Sequence, residues 1–444
     1  MTRPRNYTPV TVPFAATQAG ETPSIAQWAH SAVWTERMLA TLQTGARGGK
    51  WHTLIDKVYD QRNLTAAARK VLGKEGAAGV DRQTVEDFEQ HRREELAGLQ
   101  QQLRDDQYRP AAVRRVLIPK PGSSEKRPLG IPTVRDRVVQ TALVHVIEPI
   151  LDHEFHPRSF GFRHGRGCHD ALRCVEDRLN AGYVHVVDAD LKSYFDTIPK
   201  DRLLALVAAK ISDSRLLRLI ERYLNQSILE ELREWTPEAG VPQGAVLSPV
   251  LANLYLNPLD HQMSQRGFEM VRYADDFVVL CRTREEAEAA LAEIQTWVQE
   301  AGLTLHPTKT RIVDARTESF AFLGYSFRGN LRFPREKSHT KFMDRIRELT
   351  PRKQGDTMES QCQRLSRTLR GWFGYFRHCT WNIFKDYDAR IRTRLRRTLV
   401  KSHRRNPDRL PARQRWPNHY FATLGLYSLN EAHVRFVQSN TGNH

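Results

Sequence analysis

The chain has 444 residues, and its 68 Lys and Arg exceed its 51 Asp and Glu, which gives a formal net charge of +17. This excess favours a polyanionic partner, above all nucleic acid. No apolar run approaches the length of about 20 residues that a membrane-spanning helix requires, so the sequence predicts no membrane partner and a cytoplasmic protein.

The predicted elements mix helices and strands without a regular strand–helix–strand repeat. Residues 1–25 are rich in Thr, Pro and Ala and predict a poorly ordered leader, after which a first helix begins near Ile25. Apolar spacing predicts further helices at 85–106, 134–155, 170–179, 202–209, 214–226, 249–266 and 284–302. Strands are predicted in a basic hairpin about the turn 121–124, at 183–187 and on both sides of Asp275. This order indicates an α+β fold with an antiparallel sheet rather than a doubly wound one.

Two short segments carry closely spaced aspartates. In HVVDADLKSYFD a predicted strand delivers Asp190 at its carboxyl end, and in RYADDFVVL the predicted turn between two strands holds Asp275 and Asp276. A plain hairpin turn would favour Asn-Gly or Asp-Gly, although the two aspartates could still merely cap a hairpin. If the strands are neighbours, the carboxylates meet at one sheet edge and raise each other's pKa unless a divalent cation relieves the repulsion. Two Mg²⁺ ions held in this way can promote in-line displacement by a 3′-hydroxyl.

The chain becomes rich in Arg, Trp and Tyr after Asn330, and strands are no longer predicted. Between Lys385 and Arg415, twelve Lys or Arg stand against three Asp. A solvated helical face could explain such a run. However, the excess has one sign and is interleaved with Trp381, Tyr387 and Trp416, which favours contact with phosphates.

Eight ordered blocks resemble the reverse transcriptases, also called maturases, that bacterial group II introns encode. The blocks are GAAGVD, VLIPKPGSSEKRPLGIPTVRDRVVQ, SFGFRHGRGCHDAL, DADLKSYFD, GVPQGAVLSPVLANLYLNPLD, RYADDFVVL, GLTLHPTKT and FLGYSF. Two later segments, LRGWFGYFR and RWPNHYFATLGLYSL, resemble the family's thumb and its DNA-binding end. The resemblance implies a right-hand polymerase that uses dNTPs and Mg²⁺ to copy group II intron RNA into DNA at a target site, and that also assists splicing.

The resemblance also implies roles for single residues. It assigns the two Mg²⁺ ions to Asp190, Asp275 and Asp276. It places Lys120, Arg127 and Gln243 around the incoming nucleotide, Phe195 as an aromatic wall that excludes a 2′-hydroxyl, Arg163 toward the template, and Leu323-Gly324 beneath the primer end. Without the resemblance, Phe195 would be interpreted as a core residue, and Tyr194 is the alternative wall.

Five segments are predicted on these grounds. They are a leader with the first helix (1–50), an N-terminal extension with fingers (51–182), a palm with the aspartates (183–330), a thumb or maturase domain (331–400) and a basic DNA-binding segment (401–444). In the last segment the predicted DNA contacts are Arg404, Arg405, Arg409 and Arg413, which would bring the protein to the nucleoid.

The sequence departs from many relatives in one respect, because no cluster of metal ligands follows Cys379. The Cys-rich endonuclease of those relatives, and with it second-strand cutting, is therefore expected to be absent. Two alternatives stay open, namely an RNA-binding maturase that only assists splicing, and a reverse transcriptase drafted into another role such as phage defence. The aspartates argue against the first, since splicing assistance has no chemical need for three clustered carboxylates. The oligomeric state is not predicted.

Overall fold

A computed structural model describes residues 23–119, 126–351, 356–380, 382–402 and 410–441. Most of the predicted leader, the turn 121–124 and Lys120 lie outside these residues, as do Trp381 and the predicted DNA contacts Arg404, Arg405 and Arg409. Within the described ranges, no helix has the length and apolar character needed to cross a membrane.

Helices form much of the described chain. They are α1 (Ile25–Trp28), α2 (Glu36–Thr44), α3 (Ile55–Val58), α4 (Gln61–Leu72), α5 (Val85–Gln90), α6 (Arg92–Arg104), α7 (Val134–Asp152), α8 (Cys168–Asn180), α9 (Tyr194–Thr197), α10 (Lys200–Lys210), α11 (Ser214–Leu224), α12 (Ser248–Gln265), α13 (Arg284–Glu300), α14 (Glu336–Leu349), α15 (Met358–Phe376), α16 (Asn382–Ser402), α17 (Ala412–Arg415), α18 (Asn418–Thr423) and α19 (Leu429–Thr441). Several begin at side-chain caps: Thr84, Thr133, Asp213 and Thr283 each accept a hydrogen bond from a backbone amide of the first turn.

The strands belong to three sheets within the described residues. They are β1 (Val113–Pro119), β2 (Lys126–Ile131), β3 (His185–Asp190), β4 (Ile228–Glu230), β5 (Arg233–Trp235), β6 (Glu269–Tyr273), β7 (Asp276–Cys281), β8 (Arg311–Asp314), β9 (Phe320–Phe322), β10 (Tyr325–Arg328) and β11 (Leu331–Pro334). The hairpin sheet has the order β2-β1-β4-β5, the aspartate sheet β6-β7-β3-β8 and the small sheet β11-β10-β9. All pairings in the aspartate sheet are antiparallel, which confirms the predicted mixed fold with an antiparallel sheet.

The aspartate sheet separates two hydrophobic cores. Alternate residues of a strand point to opposite faces, so Val187 of β3 packs into one core while its neighbour Val186 packs into the other. Helix α13 contributes to the first core through Ile294, and helix α8 contributes to the second through Val175. Since both faces are covered, most residues of these strands are apolar, and Asp190 and Asp276 lie at strand ends, while Asp188 is the exception inside β3.

The structure differs from the predicted elements at several places, for example α4 and β8 to β10, which were not predicted. The helix predicted at 85–106 is divided at His91, whose φ of −107° and ψ of 15° lie outside the helical range. The hairpin β4–β5 was not predicted, because its strands have three residues each and no alternating pattern long enough to recognise. Strand β11 lies beyond Asn330, where no strand was expected, and pairs with β10 across the predicted boundary at 330.

The C-terminal residues 410–441 pack against helices α15 and α16 and do not form a separate core. Phe421 and Leu429 are fully buried in the core that also contains Leu369 of α15. Asp388 of α16 accepts a hydrogen bond of 3.0 Å from the Leu429 amide and one of 2.7 Å from the Ser428 hydroxyl. The described part of the segment predicted as a DNA-binding tail is therefore an integral part of the helical C-terminal third.

Candidate active site

The hairpin between β6 and β7 sets the position of the paired aspartates. Tyr273 pairs with Asp276 in the strand register, so the turn consists of Ala274 and Asp275, and Asp276 is already the first residue of β7. The prediction that both aspartates occupy the turn is correct for Asp275 and wrong for Asp276. Ala274 has a φ of +59°, a left-handed conformation that a residue with a side chain adopts at a cost.

Register pairing brings the third aspartate to the same place. Asp190 is the last residue of β3 and lies directly opposite Asp276 of β7. Burial is the main cause that raises the pKa of Asp276, to about 7, and the carboxylates of Asp188, Asp275 and Asp190 raise it further. Burial, with the charge of Asp190, also raises the pKa of Asp275. The three predicted aspartates thus form one cluster in which ionisation of all members is unfavourable without a cation.

One cation of the chain already contacts this cluster. The Lys309 Nζ lies 2.6 Å from Asp190 Oδ2, and the lysine side chain is 60% exposed. Lys309 is in the block GLTLHPTKT, yet nothing in the local sequence relates it to a residue 119 positions earlier. The sequence analysis therefore missed it.

The donor set suits Mg²⁺ by its chemistry. Carboxylate oxygens are hard ligands, and Mg²⁺ in polymerases takes its remaining ligands from water and substrate phosphates rather than from a protein cage. Among the described residues, no three His, Cys, Asp or Glu side chains are arranged as a ready-made metal site. Burial, together with the neighbouring carboxylates, raises the pKa of Asp275 and of Asp276, so a divalent cation bound there would favour their ionised forms.

A buried arginine holds the aspartate turn from behind. Arg272 is fully buried, and its guanidinium Nε donates to both carboxylate oxygens of Asp260 at 2.8 and 3.0 Å. Its Nη1 donates to Asn253 Oδ1 and to the Ala274 carbonyl, each at 2.9 Å. Gly161 lies so close to the turn that a Cβ there would be 2.3 Å from the Ala274 amide nitrogen. These contacts fix the left-handed Ala274, and none of them was predicted although Arg272 stands inside RYADDFVVL.

The predicted nucleotide residues lie on the loop and helix beside Asp190. The Val241 amide donates to the Phe195 carbonyl at 2.7 Å, which places the loop that carries Gln243 against α9. Gln243 Nε2 donates to Asp196 at 3.1 Å, and Arg127 Nε donates to Gln243 Oε1 at 3.4 Å. Arg127 of β2 is also near enough to Asp275 to lower its pKa in part. The structure thus brings three of the four predicted residues together, and Lys120 lies outside the described residues.

Phe195 and Tyr194 differ in exposure, which bears on the predicted wall. Tyr194 is 2% exposed and its hydroxyl donates to the Ala252 carbonyl at 2.6 Å, so its ring belongs to the core. Phe195 is only partly buried and packs against the same core. Of the two rings, Phe195 is therefore the one with a free face. A cavity of about 280 Å³ lies beside it, lined by Asp196 and Gln243 together with residues of the hairpin sheet.

Arg163 is buried within the protein. Its guanidinium is buried and donates to Asp152 Oδ1 at 2.6 Å and to the carbonyls of His156 and Ser159 at 2.8 and 2.9 Å. Because all its donor nitrogens are occupied within the protein, the predicted template contact is not supported by its position. Its role in this structure is to hold the segment that follows α7.

Leu323 and Gly324 form the turn between β9 and β10, with φ angles of +48° and +77°. The Leu323 amide lies 3.4 Å from Asp276 Oδ2, so the turn predicted to support a primer end adjoins the aspartate cluster. Arg413, the one predicted DNA contact within the described residues, is at the last turn of α17.

Two family models match the chain. Residues 118–327 match the reverse transcriptase (RNA-dependent DNA polymerase) model, and residues 339–416 match the group II intron, maturase-specific domain. The first match contains all three aspartates, and the second covers helices α14 to α17. A solved structure described as a partial Cas6-RT-Cas1–Cas2 complex has a chain that is 25% identical over 56% of this chain and 42% of its own, with a TM-score of 0.37.

Two relatives show how far the similarity extends. Protein YkfC of Escherichia coli K12 is 31% identical over 331 residues, which is 65% of this chain and 86% of the relative. The group II intron-encoded protein LtrA of Lactococcus lactis is 37% identical over 196 residues, 44% of this chain, and the match spans about a third (32%) of LtrA. The chain therefore belongs to the reverse transcriptases and maturases that group II introns encode, in which an RNA-dependent DNA polymerase domain precedes a maturase-specific domain.

Proposed function

We propose that this chain is the RNA-directed DNA polymerase of a group II intron, which copies intron RNA into DNA at a target site and also assists splicing of that RNA. The observation that carries the polymerase assignment is the register of the aspartate sheet, which sets Asp190 opposite Asp276 and beside Asp275. An RNA-binding maturase that only assists splicing would not need this cluster, whose raised pKa values indicate an electrostatic cost.

Asp190, Asp275 and Asp276 are proposed to hold two Mg²⁺ ions. The three carboxylates would hold the ions where Mg²⁺ chemistry could activate a primer 3′-hydroxyl and balance the charge of the leaving pyrophosphate. Asp276 must be deprotonated to act as a ligand, and burial keeps its pKa near 7, so cation binding releases a proton from this carboxyl in neutral solution. Lys309 pairs with Asp190 and is mostly exposed, so its ammonium can leave the carboxylate without disturbing the core.

The nucleotide is proposed to lie between Arg127, Gln243 and Phe195, and Lys120 is proposed to contact it as well. Gln243 is fixed at both ends of its amide, by Arg127 and by Asp196, so it offers a rigid wall. Phe195 offers the partly exposed face of its ring. A ring fixed under the sugar would exclude a 2′-hydroxyl by its volume, which accounts for a choice of dNTPs.

Helices α14 to α16 are proposed as the thumb, which would close on the template–primer duplex and on structured intron RNA. Trp372 stacks on Phe342 at 4.3 Å between ring centroids, and Phe376 is buried, so the aromatic residues form the inner layer. Arg390 and Arg397 of α16 are exposed and can contact phosphates. Arg404, Arg405, Arg409 and Arg413 are proposed to contact target DNA, with the protein acting at the cytoplasmic nucleoid.

Primer extension tests this proposal directly. The purified chain should extend a DNA primer on an RNA template with dNTPs and Mg²⁺, and it should not do so after chelation of the metal. Asp275→Asn, which preserves side-chain size, should lose most of the activity. A wild-type protein that binds group II intron RNA but never extends the primer would favour the splicing-only alternative.

A further inference from the structure

Tyr375 connects the end of helix α15 to residues that precede the helical C-terminal third. A helix leaves its last carbonyls without partners in the helix. The Tyr375 carbonyl accepts instead from the Tyr325 hydroxyl of β10 and from His169 of α8, whose Nε2 is 2.9 Å away. The position of this helix end is therefore fixed by side chains from outside the helical C-terminal third.

The side chain of the same residue reaches the turn beside the aspartates. The Tyr375 hydroxyl donates to the Leu323 carbonyl at 2.8 Å, and the Leu323 amide lies 3.4 Å from Asp276 Oδ2. Burial raises the pKa of Tyr375, so its hydroxyl keeps its proton and stays a donor. Two hydrogen bonds thus connect a proposed thumb helix to a proposed metal ligand.

The residue between these two bonds is conformationally strained. Leu323 has a φ of +48°, in the left-handed region that is unfavourable for a residue with a Cβ. Such a conformation persists when the surroundings determine it. Here a hydrogen bond at the amide and another at the carbonyl do so, and loss of either would free the turn to relax.

We propose that Tyr375 is a positioning residue, which through Leu323 holds the Asp276 carboxylate in place when the thumb is seated. The proposal rests on the proposed function, because it takes Asp276 as a metal ligand and α15 as part of the thumb. A displaced thumb would pull the Tyr375 hydroxyl away from Leu323, and the primer-end turn and the carboxylate would lose their shared support. Metal binding would then depend on thumb position.

Tyr375→Phe tests this coupling, because it removes one hydroxyl and keeps the ring. Tyr387→Phe is the matched control: it removes a hydroxyl that contacts His339 within the thumb and has no contact with the turn. Three quantities would be measured, namely Mn²⁺ binding by electron paramagnetic resonance, amide hydrogen exchange over residues 320–327, and the kcat and KM of nucleotide addition.

For Tyr375→Phe we expect exchange in the turn to accelerate and Mn²⁺ binding to weaken, each by about three- to tenfold, the effect of one lost hydrogen bond. kcat should fall by a similar factor, whereas the KM for dNTP should stay within about twofold. Tyr387→Phe should leave the exchange of the turn and the binding of Mn²⁺ unchanged.

Unchanged exchange and Mn²⁺ binding in Tyr375→Phe, or equal shifts in both variants, would overturn the coupling. These two measurements need no catalysis. If the wild-type protein has no polymerase activity, the proposed function is contradicted. Exchange in the turn and Mn²⁺ binding would still show whether the coupling exists.

Discussion

At the scale of single residues, Arg272 supports the turn that carries Asp275 by donating a hydrogen bond to the Ala274 carbonyl. Its charge is fully buried and balanced by Asp260, which is 3% exposed. Such a pair is weak evidence for stability in itself, but removing one partner leaves an uncompensated buried charge. The pair is best understood as the support of the Ala274 carbonyl, and so of the turn that carries Asp275.

Arg272→Met should therefore lower the free energy of unfolding by about 3–5 kcal/mol, since Asp260 is left without its partner. Urea denaturation followed by circular dichroism measures this change. Arg316→Ala is the control, because Arg316 pairs with Asp314 on the surface and a surface pair contributes about 0–1 kcal/mol. Similar losses in the two variants would contradict the assigned role of the buried pair.

Phe195 should determine sugar selectivity more than rate. Phe195→Val shortens the proposed wall, so ribonucleotides should be incorporated more readily relative to dNTPs, by at least about tenfold. The measurement is the ratio of kcat/KM for matched dNTP and rNTP. Tyr194→Phe serves as control, since it keeps the buried ring and loses only the bond to Ala252. An unchanged ratio in Phe195→Val would mean that Phe195 is a core residue and does not exclude the 2′-hydroxyl.

Asp276 should give the metal-free protein a distinct pH dependence. Its pKa is raised from 3.8 to about 7, so the folded state disfavours the ionised carboxyl. This reduces the free energy of unfolding. The reduction is absent below about pH 4, grows as pH rises and reaches its full size above about pH 7.

With EDTA present, Asp276→Asn should therefore stabilise the protein at pH 8, by on the order of 1–3 kcal/mol, and not at pH 4. Asp314→Asn should show the opposite sign, because Arg316 lowers the pKa of Asp314 to about 2 and that contribution is lost as pH falls. Equal effects of Asp276→Asn at both pH values would contradict the raised pKa.

At the scale of elements, the sequence predicted those helices and strands whose apolar residues repeat over enough positions to be recognised. Helices such as α7, α12 and α13 have long apolar repeats, and their predicted limits agree with the structure to within a few residues. The three-residue strands β4 and β5 carry too little pattern to be predicted. Residues that act by long-range contact, such as Arg163, Lys309 and Tyr375, could not be placed, because their partners are fixed only by tertiary packing.

The site itself was predictable in part for the same reason. Asp190 and Asp275 end strands or occupy a turn, so neighbouring strands bring them together once the sheet is antiparallel. The support behind them involves Gly161, Asn253 and Asp260, which come from a loop and from α12. Nothing in their local sequence points to the turn that they hold.

The basic C-terminal element needs a test other than truncation. Residues 410–441 share a core with α15 and α16, so removing them would expose Leu369 and Leu395 and unfold the region. Arg404, Arg405, Arg409 and Arg413 should instead be changed together to Gln. If they contact duplex phosphates, the slope of log K against log salt should decrease by up to about 3.6, at about 0.9 per contact.

A matched control for this variant changes Arg62, Arg92, Arg284 and Arg316, which are paired with nearby acidic residues on the surface. It lowers the net charge equally and should leave the salt slope nearly unchanged. The same slope in both variants would mean that the C-terminal arginines form a solvated face.

For the whole molecule, the proposed function assigns affinity for nucleic acid to the net charge of +17 and the chemistry to the aspartate sheet. We expect these two properties to be separable, because basic residues occur along the whole chain while the three carboxylates lie at one sheet edge. A variant that lacks one carboxylate should therefore bind RNA normally.

The most direct test measures RNA affinity and single-nucleotide extension in the same preparation of Asp190→Ala, with Asp314→Ala as a control on the same sheet. Asp190→Ala should keep its RNA affinity within about twofold and lose extension by roughly two orders of magnitude or more. Asp314→Ala should retain both. Robust primer extension by folded Asp190→Ala would contradict the claim that the aspartate cluster is the polymerase centre of this chain.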